Sequence, residues 1–145
     1  MVTQVQIKEW RRLALEASQD LYAWVDSTVF GRGDLRVELV GLDADNLAEV
    51  YLVARQAVLE LSSAVLKGHA DLNDQRVKWW GELAMRTAPG EFRASGTVIE
   101  NQYGPVAEVK GEHRQASRLA RFLAVAPDAV RELCAAARTQ LPQPG

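Results

Sequence analysis

The chain is poor in the residues from which most catalytic and metal centres are built. Of its 145 residues one is cysteine and two are histidine. Cys134 alone can close no internal disulfide, and a cysteine-rich tetrahedral zinc site is excluded. His69 and His113 lie far apart without ligand-type spacing, so no metal site and no cofactor are expected. There is no basic excess. The formal net charge is −2, which argues against a general nucleic-acid binder. No apolar run approaches the roughly 18 residues that a membrane span requires. The N-terminus lacks the basic start and apolar core of an export signal, and the expectation is a cytoplasmic protein. No hydrolase triad, P-loop or dinucleotide fingerprint is present. Gly31-Arg32-Gly33 lacks a third glycine and a following helix. Arg32-Gly33-Asp34 matches the integrin-binding tripeptide, but two glycines and an aspartate read first as a turn. Nucleophile–base pairs are missing, so the expectation is a protein that binds and does not turn over substrate.

What is present is an internal repeat. Lys8-Glu9-Trp10-Arg11-Arg12-Leu13-Ala14 returns seventy positions later as Lys78-Trp79-Trp80-Gly81-Glu82-Leu83-Ala84. Lysine, tryptophan, leucine and alanine keep their places, and Ile7 answers Val77. Repeats of this kind define architecture before any single element does. A content of 48% hydrophobic and 25% charged residues fits a soluble globular protein.

Thr3 followed by Gln6 can cap a helix, whose face carries Ile7, Trp10, Leu13, Ala14 and Ala17 at helical spacing. Leu21 to Val25 and Thr28 to Phe30 read as short strands. Leu35 to Leu39 alternates, placing Leu35, Val37 and Leu39 on one face. After a cap at Asp43 or Asp45, a helix is expected from Leu47 through Val65, stopping at Gly68. Residues 69–73 join the halves, with Asn73 or Asp74 as the next cap. The second half repeats the order. A helix carries Val77, Trp80, Leu83 and Ala84, and Ala88-Pro89-Gly90 breaks it. Strands follow at Phe92–Ser95, Thr97–Glu100 and Val106–Val109, with a hairpin turn at Asn101–Pro105. A last helix carries Leu119, Phe122, Leu123, Ala126, Val130 and Leu133; Pro127 either kinks it or starts another. The fold class expected is α+β. It is a tandem duplication of a helix–β-meander–helix unit, residues 1–70 and 71–140, with two small antiparallel sheets packed with amphipathic helices into one globular unit. Residues 141–145 form a disordered tail.

Thr87-Ala88-Pro89-Gly90-Glu91-Phe92, Gly104-Pro105-Val106-Ala107-Glu108-Val109, and Ser117-Arg118-Leu119 with Ala124 to Leu133 occur in that order. These segments resemble small accessory proteins of tailed bacteriophages, the Ead-type early-region family and its relatives, over about fifty residues. Two departures stand out. The family tryptophan is Phe92 here, and the last helix carries an insertion before Ala126-Pro127-Asp128. The resemblance implies a phage protein in the host cytoplasm and brings no catalytic residues.

The candidate site is a stripe of arginines. Arg114, Arg118 and Arg121 share one helix face, with Lys110 just before it and no Asp or Glu between the first and last. Guanidinium groups suit phosphate and carboxylate through bidentate hydrogen bonds. Tyr103 at the hairpin tip and Trp79, beside Trp80, could add stacking surfaces. Trp79 could equally pack between the halves, and the arginines could pair with the more acidic first half. That half holds seven basic and ten acidic residues, net −3. The reading that follows is a phage protein that binds a host protein stoichiometrically and so opposes a host defence. An alternative is a sponge for a small anionic ligand such as a nucleotide signal, and a weaker one is a small enzyme. A homo-oligomer is compatible with each.

Overall fold

The computed structural model describes residues 2–17, 21–41, 44–67, 74–87 and 92–140. The expected cap at Asp43, the stop at Gly68, the joint and cap at residues 69–73, the break at 88–90 and the tail 141–145 lie outside them. The first half runs α1 (Gln4–Ala17), β1 (Ala23–Val25), β2 (Thr28–Phe30), β3 (Arg36–Leu39) and α2 (Ala44–Lys67). The second runs α3 (Asp74–Arg86), β4 (Arg93–Ser95), β5 (Val98–Asn101), β6 (Gly104–Lys110) and α4 (His113–Gln140).

Local chemistry accounts for the element ends. Thr3 Oγ1 accepts the Gln6 backbone N–H at 3.1 Å and starts α1. Asp45 and Asp74 stand in the first turns of α2 and α3, where a negative charge meets the positive end of the helix dipole. The β4–β5 turn needs a left-handed backbone, which Gly96 supplies at φ +64°. α4 continues unbroken through Pro127, so that proline begins no new helix. The missing Pro127 N–H leaves the Leu123 carbonyl without its helical donor.

The expected two sheets are in fact one. β3 pairs antiparallel with β6, giving the strand order β1-β2-β3-β6-β5-β4. The reason is edge satisfaction. A three-stranded meander leaves β3 in one half and β6 in the other with a row of unpaired N–H and C=O groups. Pairing the two rows satisfies both, and the register sets Val37 opposite Val109 and Leu39 opposite Ala107 on the buried face.

All four helices lie on that face. α2 packs on β1–β3 and α4 on β4–β6, and the two helices pack on each other; α1 and α3 each lie across both. The repeated apolar faces enter the core in the same way: Ile7, Trp10, Leu13 and Ala14 are buried, as are Val77, Trp80, Leu83 and Ala84. Arginines tie the outer helices down. Arg55 Nε donates to the Ala14 carbonyl at 2.9 Å, and Arg131 Nη2 to the Ala84 carbonyl at 3.3 Å. Arg11 Nη1 donates to the Leu59 carbonyl at 2.8 Å and to Ser62 Oγ at 3.1 Å. The other sheet face carries Arg36, Glu38, Glu108 and Lys110 and no described helix. No helix of the described residues is long and apolar enough to cross a membrane.

Candidate functional site

α4 carries the candidate site. Its start is fixed by Glu112. Glu112 Oε2 accepts the Gln115 N–H at 2.9 Å and Oε1 accepts the Arg114 N–H at 3.1 Å. These two backbone bonds, helped by the neighbouring charge of Arg114, hold the Glu112 carboxyl below its ordinary range. The first turn itself has no acidic residue. It begins His113-Arg114, and a cation near a helix N-terminus is opposed by the helix dipole. Helix stability therefore does not explain why arginine stands there.

Arg114, Arg118 and Arg121 are all exposed. At about 100° per residue they fall on one face of the helix. Neither Arg118 nor Arg121 has a carboxylate partner among the described residues, so pairing with the acidic first half is not what occupies them. Lys110 is different: its Nζ lies 3.2 Å from Glu108 on the open sheet face.

The same α4 face continues past the arginines. Val125, Asp128 and Glu132 fall within about 40° of Arg114 on the helical wheel. There the face becomes one wall of a cleft of about 770 Å³. α1 contributes Gln6 and Trp10 to the opposite wall, and Phe92, Arg93 and Gln102 close it from the strand side. Asp128 is tied to Arg131 at 2.7 Å, whereas Glu132 is exposed without an ion partner among the described residues. The cleft lining carries two carboxylates, Asp128 and Glu132, and one cation, Arg93; with Asp128 already held by Arg131, Glu132 is its free acidic group among the described residues, and Trp10 and Phe92 make the lining partly aromatic. Such a cleft suits a cationic, planar group. One helix face thus presents three arginines toward its N-terminus and two carboxylates beside a cleft toward its C-terminus.

The other two expected site residues are not gathered here. Tyr103 is 88% exposed at the β5–β6 turn, where its N–H is bonded to Asn101 Oδ1 at 2.8 Å. Only its neighbour Gln102 reaches the cleft. Trp79 is 50% exposed on α3 and lines a separate cavity of about 410 Å³ with Leu21, Tyr22, Leu52 and Val53. α4 contributes nothing to that cavity. Trp79 therefore packs partly against the first half and does not flank the arginine stripe. The cleft residues Trp10, Phe92 and Arg93 were not expected as a site. The sequence signal that could have found part of it is Asp128 and Glu132, one turn apart and in phase with the arginines.

Cys134 is 3% exposed, and its thiol lies 3.5 Å from the Val77 carbonyl. Burial pushes this thiol up to about 11, against the opposing charge of Arg138, so it is not a poised nucleophile at neutral pH. Among the described residues no group of His, Cys, Asp and Glu is placed to hold a metal ion. Comparison with protein-family models, with curated proteins and with solved structures returned no match.

Proposed function

We propose that the protein acts by stoichiometric binding through the exposed face of α4. The observation that carries this reading is the row Arg118 and Arg121, exposed, without carboxylate partners among the described residues, and continuous with the acidic cleft. Unneutralised guanidinium groups on a rigid helix recognise carboxylates or phosphates at little ordering cost. A partner with complementary charge, a host protein in the cytoplasm of an infected cell, fits this face and the phage resemblance of the second half. Opposition to a host defence is the role such a binder would serve. The sponge reading draws less support, because Trp79 lines a cavity to which α4 contributes nothing.

We propose further that residues 1–70 and 71–140 are copies of one unit. The reading is supported by the shared element order, the strand order that reads alike from both ends, and the arginine side chains of α2 and α4 that donate to the corresponding carbonyls of Ala14 and Ala84.

The test of the binding proposal is Arg118→Glu. Partner binding should be lost while the melting temperature stays nearly unchanged, since an exposed charge contributes little to stability. A thermal-shift series with nucleotides separates the sponge reading, because a ligand of the folded state raises the melting temperature by mass action. Undiminished partner binding by the triple variant Arg114→Ala, Arg118→Ala, Arg121→Ala would remove the α4 face from consideration.

A further inference from the structure

The charge order on α4 is complementary to itself when reversed. Arg118 and Glu132 stand seven residues before and after Val125. Arg121 stands four before it and Asp128 three after. By the helical rise, Arg118 and Glu132 are each about 10 Å from Val125 along the axis. Two α4 helices laid face to face and antiparallel, with a two-fold axis at Val125, therefore set Arg118 of each against Glu132 of the other. Arg121 falls against Asp128 in the same arrangement. Closed two-fold symmetry is the commonest way for a chain to meet its own copy, and each contact then occurs twice.

The cleft gives the arrangement room. Glu132 and Asp128 line it beside Trp10 and Phe92, with Gln6 and Gln102 at its polar margin. An arginine entering there meets the Glu132 carboxylate, the outer side of an Asp128 already held by Arg131, and aromatic faces, surroundings that suit a guanidinium. Arg118 and Arg121 of the same helix face, exposed and without carboxylate partners among the described residues, are the matching group.

We infer that a second copy of this chain docks antiparallel on the α4 face and closes it, with Arg118 and Arg121 of each copy in the acidic cleft of the other. The inference rests on reading that face as the binding surface and adds its regulation: the copies mask the face until a partner of higher affinity displaces one of them. Arg114 falls opposite Ala136 in this register and meets no carboxylate. The interface is charge-rich, so it must weaken with salt.

Sedimentation velocity of the full chain across a concentration series tests this. The wild type should dimerise at low salt and dissociate at about 1 M NaCl, where screening lengths fall to about 3 Å. Arg118→Glu and Glu132→Arg should each raise the dimer Kd by about tenfold or more, because two charge pairs are lost and two repulsions gained. The double variant Arg118→Glu/Glu132→Arg should restore the dimer, and Arg114→Glu should leave it unchanged. Independently, Val125→Cys should form a disulfide between copies under mild oxidation, because its mate lies across the axis while Cys134 is buried. A wild type monomeric at every concentration overturns self-docking, as does a folded double variant that stays monomeric or a Val125→Cys protein that fails to cross-link. None of these results touches partner recognition. That reading fails separately, if Arg118→Glu binds the partner as the wild type does.

Discussion

Glu38 lies directly opposite Glu108 where β3 meets β6, and the cations Arg36 and Lys110 form the next opposed pair. Like charges facing across a ladder repel. Here each carboxylate is neutralised along its own strand, Glu38 by Arg36 at 3.4 Å and Glu108 by Lys110 at 3.2 Å. The open face of the β3–β6 join therefore carries a four-charge cluster of zero net charge. Reversing one member upsets it. Lys110→Glu should lower stability by about 0.2–1 kcal/mol, the range for cross-strand pairs, with the lower end favoured because these side chains are about two-fifths exposed. The urea midpoint should fall at low ionic strength and recover in high salt. A salt-independent loss would mean that the cluster is not what Lys110 serves.

Trp80 is the larger determinant of the core. Its side chain is 1% exposed, and the Arg76 guanidinium sits 5.0 Å from the ring centroid. Trp80→Ala should cost about 3–5 kcal/mol, as truncation of buried aromatics does. Trp10, 6% exposed, also lines the cleft, so one side of its ring has fewer packing partners. Trp10→Ala should then cost less than Trp80→Ala in parallel denaturant titrations. The reverse order would show that the cleft is filled by neighbouring side chains in solution.

These two positions also show how far the sequence reaches. The faces of α1 and α3 were legible because a helix repeats its contacts at three and four residues, and a tryptophan on such a face has few places to go but the core. The joining of β3 to β6 was not legible. Strand alternation says which side chains are buried and nothing about which edge pairs with which. Two separate sheets and one continuous sheet ask for the same pattern in Val37, Leu39, Ala107 and Val109. The arginine stripe was legible for the same periodic reason as the cores. The cleft was not, since Trp10 on α1, Phe92 before β4, Gln102 in the β5–β6 turn and Glu132 on α4 are brought together only by the packing of α1 and of β4–β6 on α4. Trp79 and Tyr103 join the arginines in the sequence reading as stacking surfaces, Tyr103 also for its nearness in sequence; Trp79 lines a cavity without α4 residues, and Tyr103 stands exposed on the β5–β6 turn next to the cleft residue Gln102.

Tyr51 presents a different kind of test. It is buried in α2, and its hydroxyl has no hydrogen-bond partner among the described residues. Burial accordingly pushes its ionisation well above the ordinary tyrosine range. A buried hydroxyl without a partner carries a desolvation cost of about 1–3 kcal/mol. Tyr51→Phe keeps the ring and removes the cost, so it should leave stability unchanged or raise it by up to about 1–2 kcal/mol. Calorimetry on the two proteins decides. A clear loss of stability would require a hydrogen bond to this hydroxyl in solution.

Glu112 links the start of α4 to pH. Its carboxyl is lowered chiefly by the Gln115 and Arg114 N–H bonds, which only the ionised form accepts at both oxygens. A group with a depressed folded pKa stabilises the fold above its unfolded value, about 4.3 for glutamate, and loses that contribution as pH falls through the folded value. Glu112→Gln keeps one amide oxygen as acceptor and removes the charge. The variant should therefore melt below the wild type at pH 7. The gap should narrow as pH drops below about 4 and close once the wild-type carboxyl is protonated. A gap constant from pH 7 to pH 2.5 would assign the effect to side-chain packing at the cap rather than to its charge. The substitution also removes the carboxylate charge beside Arg114, and it leaves Arg118 and Arg121 untouched. Self-association through α4 should accordingly persist in Glu112→Gln while the melting temperature falls, which separates the cap from the docking face in a single protein.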